Sequence, residues 1–170
     1  QKAVRKIFEM KKRPREKALP VFVKDIKMAK KLAEIDKKQE KFLKKVWPGK
    51  ITVVLRKKLK QKNKLPRARQ NKIYGATSKT IALRIPDYKF INILLRKTKT
   101  FLIGTSANIH GKPPSNKIKE ILKQFETKKP KVKPDLILDA GNLKPSKPST
   151  VVDLTKKNLK ILRPGSGKLK

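Results

Sequence analysis

Apolar residues arrive in short runs, and this constrains the fold more than any other feature of the chain. Leu19 to Val23, Ile51 to Leu55, Thr80 to Ile85 and Phe101 to Thr105 have the length and content of strands. Segments of helical period lie around and between them. Lys2 to Lys12 carries Val4, Ile7, Phe8 and Lys11 at helical spacing. Pro14 ends that helix, because the residue before a proline avoids helical angles. Asp25 caps a helix with Met28 and Leu32 inward, and Asp36 caps another that carries Phe42, Leu43 and Val46. Trp47-Pro48-Gly49 breaks it. Phe90, Ile91, Leu94 and Leu95 mark a further helix, and Ser115 opens one with Ile118, Ile121, Leu122 and Phe125 on one face. Leu136 to Asp139, Thr150 to Asp153 and Leu159 to Arg163 close the chain as short strands. Strands alternating with helices, then a strand cluster, predict an α/β domain with one twisted, mixed sheet. Ligands in such sheets sit beyond the carboxyl ends of strands.

A chain of 170 residues suits one domain, here 1–170. None of its apolar runs is long enough to span a bilayer, and no apolar signal-peptide core follows Gln1. The lack of cysteine excludes a disulfide framework, a cysteine zinc site and a thiol nucleophile, and makes a cytoplasmic enzyme the default expectation. The first methionine is Met10 and the chain opens inside a helical pattern, so we expect an N-terminal piece before residue 1.

Lys and Arg number 49 against 12 Asp and Glu, a net charge of +37. Self-repulsion on this scale opposes folding and polyanions relieve it. One reading is contact with RNA phosphates, strongly dependent on salt. The other is compositional drift, since lysine fills nearly every position that reads as exposed; we assign most lysines to drift. The segment Arg56 to Lys72 is rich in bases and poor in apolar residues, and reads as a variable basic surface loop more than as a dedicated RNA arm.

Several motifs fail. Gly165-Ser166-Gly167-Lys168 lacks the first glycine of a P-loop, and no apolar helical run follows it. The sole histidine, His110, excludes a histidine-pair zinc site and reads as solvated. Carboxylates are too few to favour paired acid catalysis. Cations, hydroxyls and amides remain, and these bind and activate anions.

Four segments hold, in order. Lys11-Lys12-Arg13-Pro14 with Lys17-Ala18-Leu19 sets two cations at a proline-fixed turn, suited to phosphate or carboxylate. Trp47-Pro48-Gly49 reads as a helix stop with a packed Trp. Thr105-Ser106-Ala107-Asn108, with Gly111-Lys112-Pro113 after it, brings a hydroxyl and an amide to a strand end, where they can meet phosphate oxygens. The alternative is a turn bonded to its own backbone. Ala82-Leu83-Arg84-Ile85-Pro86-Asp87 ends another strand upstream. Pro148-Ser149-Thr150-Val151-Val152-Asp153 and Ile161-Leu162-Arg163-Pro164-Gly165 place Ser149 near Arg163 if their strands pair, with Asp153 capping a turn.

Together these segments resemble the Lys-x-Arg-Pro, Trp-Pro-Gly-Pro, Arg-x-Pro-Asp, Thr-Ser-Ala-Asn-x-x-Gly, Pro-Ser-Thr-Val-x-Asp and Leu-Arg-x-Gly motifs of the YrdC-type (YrdC/Sua/YwlC) L-threonylcarbamoyladenylate synthases. The chain departs from them at Lys50, where the family has proline. The resemblance implies a single YrdC-like α/β domain, a twisted mixed sheet flanked by helices with a basic concave face. It implies that threonine and bicarbonate form N-carboxy-threonine, whose carboxylate attacks the α-phosphate of ATP. Pyrophosphate leaves, and partner proteins pass the threonylcarbamoyl group to tRNA adenosine. It further implies Mg²⁺ with ATP and no membrane. Carried over by position, Lys11 and Arg13 are catalytic; Lys11, Arg13, Ser106, Asn108 and Arg163 bind ATP; Ser149 meets threonine or the carboxylate. The family's Pro-Thr-x-Thr-x-Tyr-Gly-Leu segment is expected to precede Gln1. Two other readings stay open: a non-catalytic YrdC-like binder of double-stranded RNA or tRNA, and a YciO-type paralogue. A ribosomal or assembly protein, suggested by charge alone, ranks last.

Overall fold

The computed structural model describes residues 2–58, 79–126 and 132–169. In chain order its elements are α1 (Lys2–Lys11), β1 (Val21–Phe22), α2 (Ile26–Leu32), α3 (Lys37–Val46), β2 (Ile51–Arg56), β3 (Thr80–Arg84), α4 (Lys89–Thr98), β4 (Leu102–Ile103), α5 (Ile118–Phe125), β5 (Thr150–Asp153) and β6 (Lys160–Arg163). They divide into two compact units: the residues up to Lys17 with Thr105–Ser146, and Ala18–Gly104 with the residues from Lys147 onward.

The second unit contains the sheet. Its six strands run in the order β4-β1-β3-β2-β5-β6. β1 lies parallel to β3 and β2 parallel to β5, while the β1–β4, β2–β3 and β5–β6 pairs are antiparallel. The sheet is therefore mixed and the fold α/β, as the alternation of periods predicted. In β2 the residue Val53 is paired with Leu83 on one side and Val152 on the other. Ile51, Val53 and Leu55 are all buried, and they pack in one core with Val21, Leu83, Val152 and, from α3, Leu43 and Val46. Near-continuous apolar sequence of this kind is what a strand covered on both faces requires.

Local signals set the helix ends of this unit. The Asp25 side chain accepts a bond from the Met28 amide at the start of α2. Asp36 and Gln39 form a reciprocal capping box at the start of α3. Trp47 caps the far end of α3, is buried, and donates its indole N–H to the Ile51 carbonyl at 2.8 Å. The strands predicted at Leu19 to Val23 and Phe101 to Thr105 contract to Val21–Phe22 and Leu102–Ile103. Leu19 is buried without being a strand residue, so composition reported burial there and not pairing.

The first unit contains α1 and α5 with the loops around them. Lys12 follows α1 with φ 50°, the left-handed turn that ends a helix. Phe8, Ile109 and Phe125 are buried. Met10, Ile118, Ile121, Leu122, Phe125 and Leu138 are among the residues lining a cavity of about 340 Å³. Two expectations are corrected here. Ser115 does not cap a helix that it opens; α5 begins at Ile118, and the Ser115 hydroxyl accepts from the Lys117 amide and donates to Glu120. Leu136 to Asp139 is irregular chain and not a strand. Among the described residues it has no strand beside it, and Leu136, Ile137 and Leu138 are exposed. From residue 59 onward the basic segment Arg56 to Lys72 lies outside the described residues.

Candidate functional site

The first unit brings Lys11, Ser106 and Asn108 together. Lys11 ends α1 and is only 2% exposed. Its ammonium donates to the Ser106 carbonyl at 2.6 Å, to the Asn108 carbonyl, and to Asn108 Oδ1 at 2.9 Å. Ser106 Oγ and Asn108 Oδ1 are 2.7 Å apart, with the hydroxyl as donor. Asn108 Nδ2 donates to the Lys112 carbonyl at 2.5 Å. The His110 amide returns to the Lys11 carbonyl at 2.8 Å. Each side chain in this knot thus satisfies another, as buried polar groups must. The sequence suggested Lys11 and Arg13 side by side on an anion; the structure turns Lys11 inward, where it fixes the shape of the Ser106–Asn108 turn.

Burial, and then the Arg13 guanidinium, pull the Lys11 pKa down from 10.5 to about 8. At neutral pH Lys11 is still mainly an ammonium, which its three oxygen partners favour. Arg13 lies past the helix end, half-buried, with Nε donating to the Lys17 carbonyl at 3.2 Å. The Lys17 amide in turn donates to the Pro14 carbonyl at 3.2 Å, closing the proline turn. Burial lowers the Arg13 pKa as well.

The second unit brings Ser149 and Arg163 together, through the antiparallel pairing of β5 with β6. Arg163 donates to the Ser149 carbonyl from Nε at 3.2 Å and Nη2 at 2.8 Å, and Nη2 lies 3.3 Å from Ser149 Oγ. Ser149 Oγ is also 2.9 Å from Thr52 Oγ1, a buried hydroxyl that sequence reasoning missed. Nothing in its surroundings singled out Thr52, because it reads as one β-branched residue in a strand. Gly165 and Gly167 are needed for close approach: a Cβ on Gly165 would meet the Pro148 carbonyl oxygen at 2.3 Å, and one on Gly167 the Lys50 oxygen at 2.5 Å. Packing therefore explains the glycines that superficially suggest a P-loop. Asp153 caps its turn as expected, accepting from the Thr155 amide at 2.7 Å.

Chemically, both units offer cations, hydroxyls and amides at strand and helix ends. Among the described residues, no group of three His, Asp or Glu side chains could hold a metal ion. No helix among them is long and apolar enough to cross a membrane.

Comparison with known proteins places these motifs. The chain is 32% identical over 164 residues to the threonylcarbamoyl-AMP synthase of Pyrococcus abyssi, covering 96% of this chain and 44% of that protein. The crystal structure of Pyrococcus abyssi Sua5 complexed with L-threonine matches with TM-score 0.76 and 32% identity, over 97% of this chain and 45% of that one. Escherichia coli YciO matches in fold with TM-score 0.75 at 24% identity, over 100% of this chain and 76% of that one. The chain thus spans less than half the length of the Pyrococcus relative. The family model for Sua5/YciO/YrdC proteins, described as "telomere recombination", matches residues 1–165. A match of that extent, on a mixed α/β sheet with the motifs in order, means that the chain belongs to the Sua5/YciO/YrdC family.

Proposed function

We propose that the chain carries out L-threonylcarbamoyladenylate synthesis, the formation of threonylcarbamoyl-AMP and pyrophosphate from L-threonine, bicarbonate and ATP. The observation that carries this reading is the Lys11–Ser106–Asn108 knot, which holds the Ser106–Asn108 turn in one shape in a chain with the motifs of the synthases. Bicarbonate and the threonine amine condense to a carbamate with loss of water. A carbamate oxygen then attacks the α-phosphorus, and the bond to the β-phosphate oxygen breaks. Negative charge gathers on the α-phosphoryl oxygens and on pyrophosphate, and fixed donors stabilise it without an acid–base pair.

In the first unit Arg13 meets phosphate through its two-pronged guanidinium. Ser106 and Asn108 supply the turn that faces the nucleotide, and Lys11 acts by holding that turn. In the second unit the resemblance assigns Arg163 to ATP and Ser149 to threonine or the carboxylate. Mg²⁺ would accompany the triphosphate, where it would offset phosphate charge, and this reading asks no protein residue to hold it. The adenylate then serves tRNA threonylcarbamoyl modification, with partner proteins and tRNA drawn to the +37 surface.

The test is threonine- and bicarbonate-dependent pyrophosphate release, measured on the protein as its own gene encodes it. Arg13→Ala is expected to lower the rate by about 10²-fold or more with the fold intact. Release that ignores threonine, or an Arg13→Ala variant near the wild-type rate, would overturn the reading.

A further inference from the structure

His110 takes no part in the Lys11–Ser106–Asn108 side-chain bonds, and as a lone loop histidine it reads as solvated. Yet its ring sits at the rim of that site in a group of cations. Lys17 Nζ lies 3.1 Å from His110 Nε2. An ammonium at that distance donates to the nitrogen, so Nε2 is the unprotonated nitrogen and Nδ1 carries the hydrogen. The His110 amide bonds to the Lys11 carbonyl, which ties the ring's loop to the end of α1. The donors of the turn itself are largely committed. The Lys11 ammonium is shared among three oxygens, and the Ser106 hydroxyl points to Asn108. Lys17, by contrast, gives its bond to a neutral ring, a weak use of a full charge.

We infer that Lys17 and His110 form a further phosphate contact at the rim of the Arg13 turn: an incoming phosphate draws the Lys17 ammonium away from Nε2, and the imidazole becomes a second donor to it. This rests on the nucleotide reading above and adds to it a pH-sensitive contact. Before binding, the ring is held below its ordinary 6.5 by burial first, then by Lys17, Arg13 and Lys11. All three charged groups acting on it are cations, and Lys112 on its own loop adds another nearby base. A multiply charged phosphate reverses the sign of that environment. The bound ring then has a higher pKa than the unbound one. Binding therefore takes up a proton, and affinity rises as pH falls towards the pKa of the unbound ring.

The experiment is calorimetric titration of Mg-ATP at constant ionic strength, in two buffers of different ionisation enthalpy, with wild type and His110→Gln. Gln keeps an acceptor for Lys17 and cannot titrate, so the unbound geometry survives. The ionisation of ATP itself is common to both proteins and cancels in the difference. Wild type is expected to take up more protons than His110→Gln. Its affinity advantage should grow as pH falls from 8 to 6, by at most about tenfold for each unit by which binding raises the ring's pKa. Lys17→Met should weaken binding at both pH values. If ATP binds both proteins with equal proton uptake and a constant affinity ratio, the His110 inference is overturned and the nucleotide reading stands. If wild type binds no ATP at either pH, both fall together.

Discussion

Two apolar stretches that both read as strands, Ile51 to Leu55 and Leu136 to Leu138, come to opposite ends. The first is β2, paired antiparallel with β3 and parallel with β5, and its Val53 and Leu55 are fully buried. The second belongs to no strand among the described residues, and Leu136 is 74% exposed. The acids beside it are engaged elsewhere: Asp135 pairs with Lys6 of α1, and Asp139 accepts from the Gly141 amide. Apolar, β-branched sequence thus nominates a strand, but a strand exists only where a second backbone satisfies its N–H and C=O groups.

The comparison breaks most violently at Val53. Val53→Asp would bury a carboxylate between Leu83 and Val152 with no partner. We expect a loss of about 4 kcal/mol or more, a large part of the stability of a chain this size. Circular dichroism should show no cooperative melt; a melt within a few degrees of wild type would mean that β2 is not the centre of the core. A paired truncation sharpens the same contrast at smaller cost. Leu55→Ala is expected to lower stability by about 2–5 kcal/mol through lost burial and the cavity left behind. Leu138→Ala should change it by less than about 0.5 kcal/mol, since that side chain is 63% exposed. Equal shifts in the urea midpoint would show that the two stretches are equally packed.

What the sequence revealed follows the range of the interaction involved. The Asp25 and Asp36 caps act over three residues, and both are present. The meeting of Ser149 with Arg163 needed only one hairpin, and it too is present. Lys11 was legible as a cation at a proline turn, but its inward hydrogen bonds were not. Its acceptors are two carbonyls and an amide oxygen some 95 residues further along the chain, and a carbonyl has no letter in the sequence. Thr52 was illegible for the same reason, since only the register of β2 against β5 brings it to Ser149. The apolar face of α5 was legible as a face, whereas the cavity it lines was not. Periodicity says which side of a helix is apolar and is silent on what meets it.

Helix starts offer the finest version of the comparison between units. At α3 the Asp36 side chain accepts from the Gln39 amide at 2.7 Å, and Gln39 returns a bond to the Asp36 amide at 3.0 Å. Gln39 also reaches the Leu154 carbonyl at 2.8 Å, so this cap is tied to the sheet-bearing unit at large. At α5 the cap position is held by Lys117, which makes no capping bond, and Ser115 serves the Lys117 amide from outside the helix. Asp36→Ala therefore removes a reciprocal pair and should cost about 1 kcal/mol. Ser115→Ala removes one exposed bond to an amide outside the helix, together with a bond to Glu120, and should cost only a few tenths of that, roughly 0.3 kcal/mol. Chemical denaturation of the two variants checks the order. A Ser115→Ala loss as large as that of Asp36→Ala would place the true start of the second helix at Ser115, where the sequence had put it, and would make the caps of the two units alike.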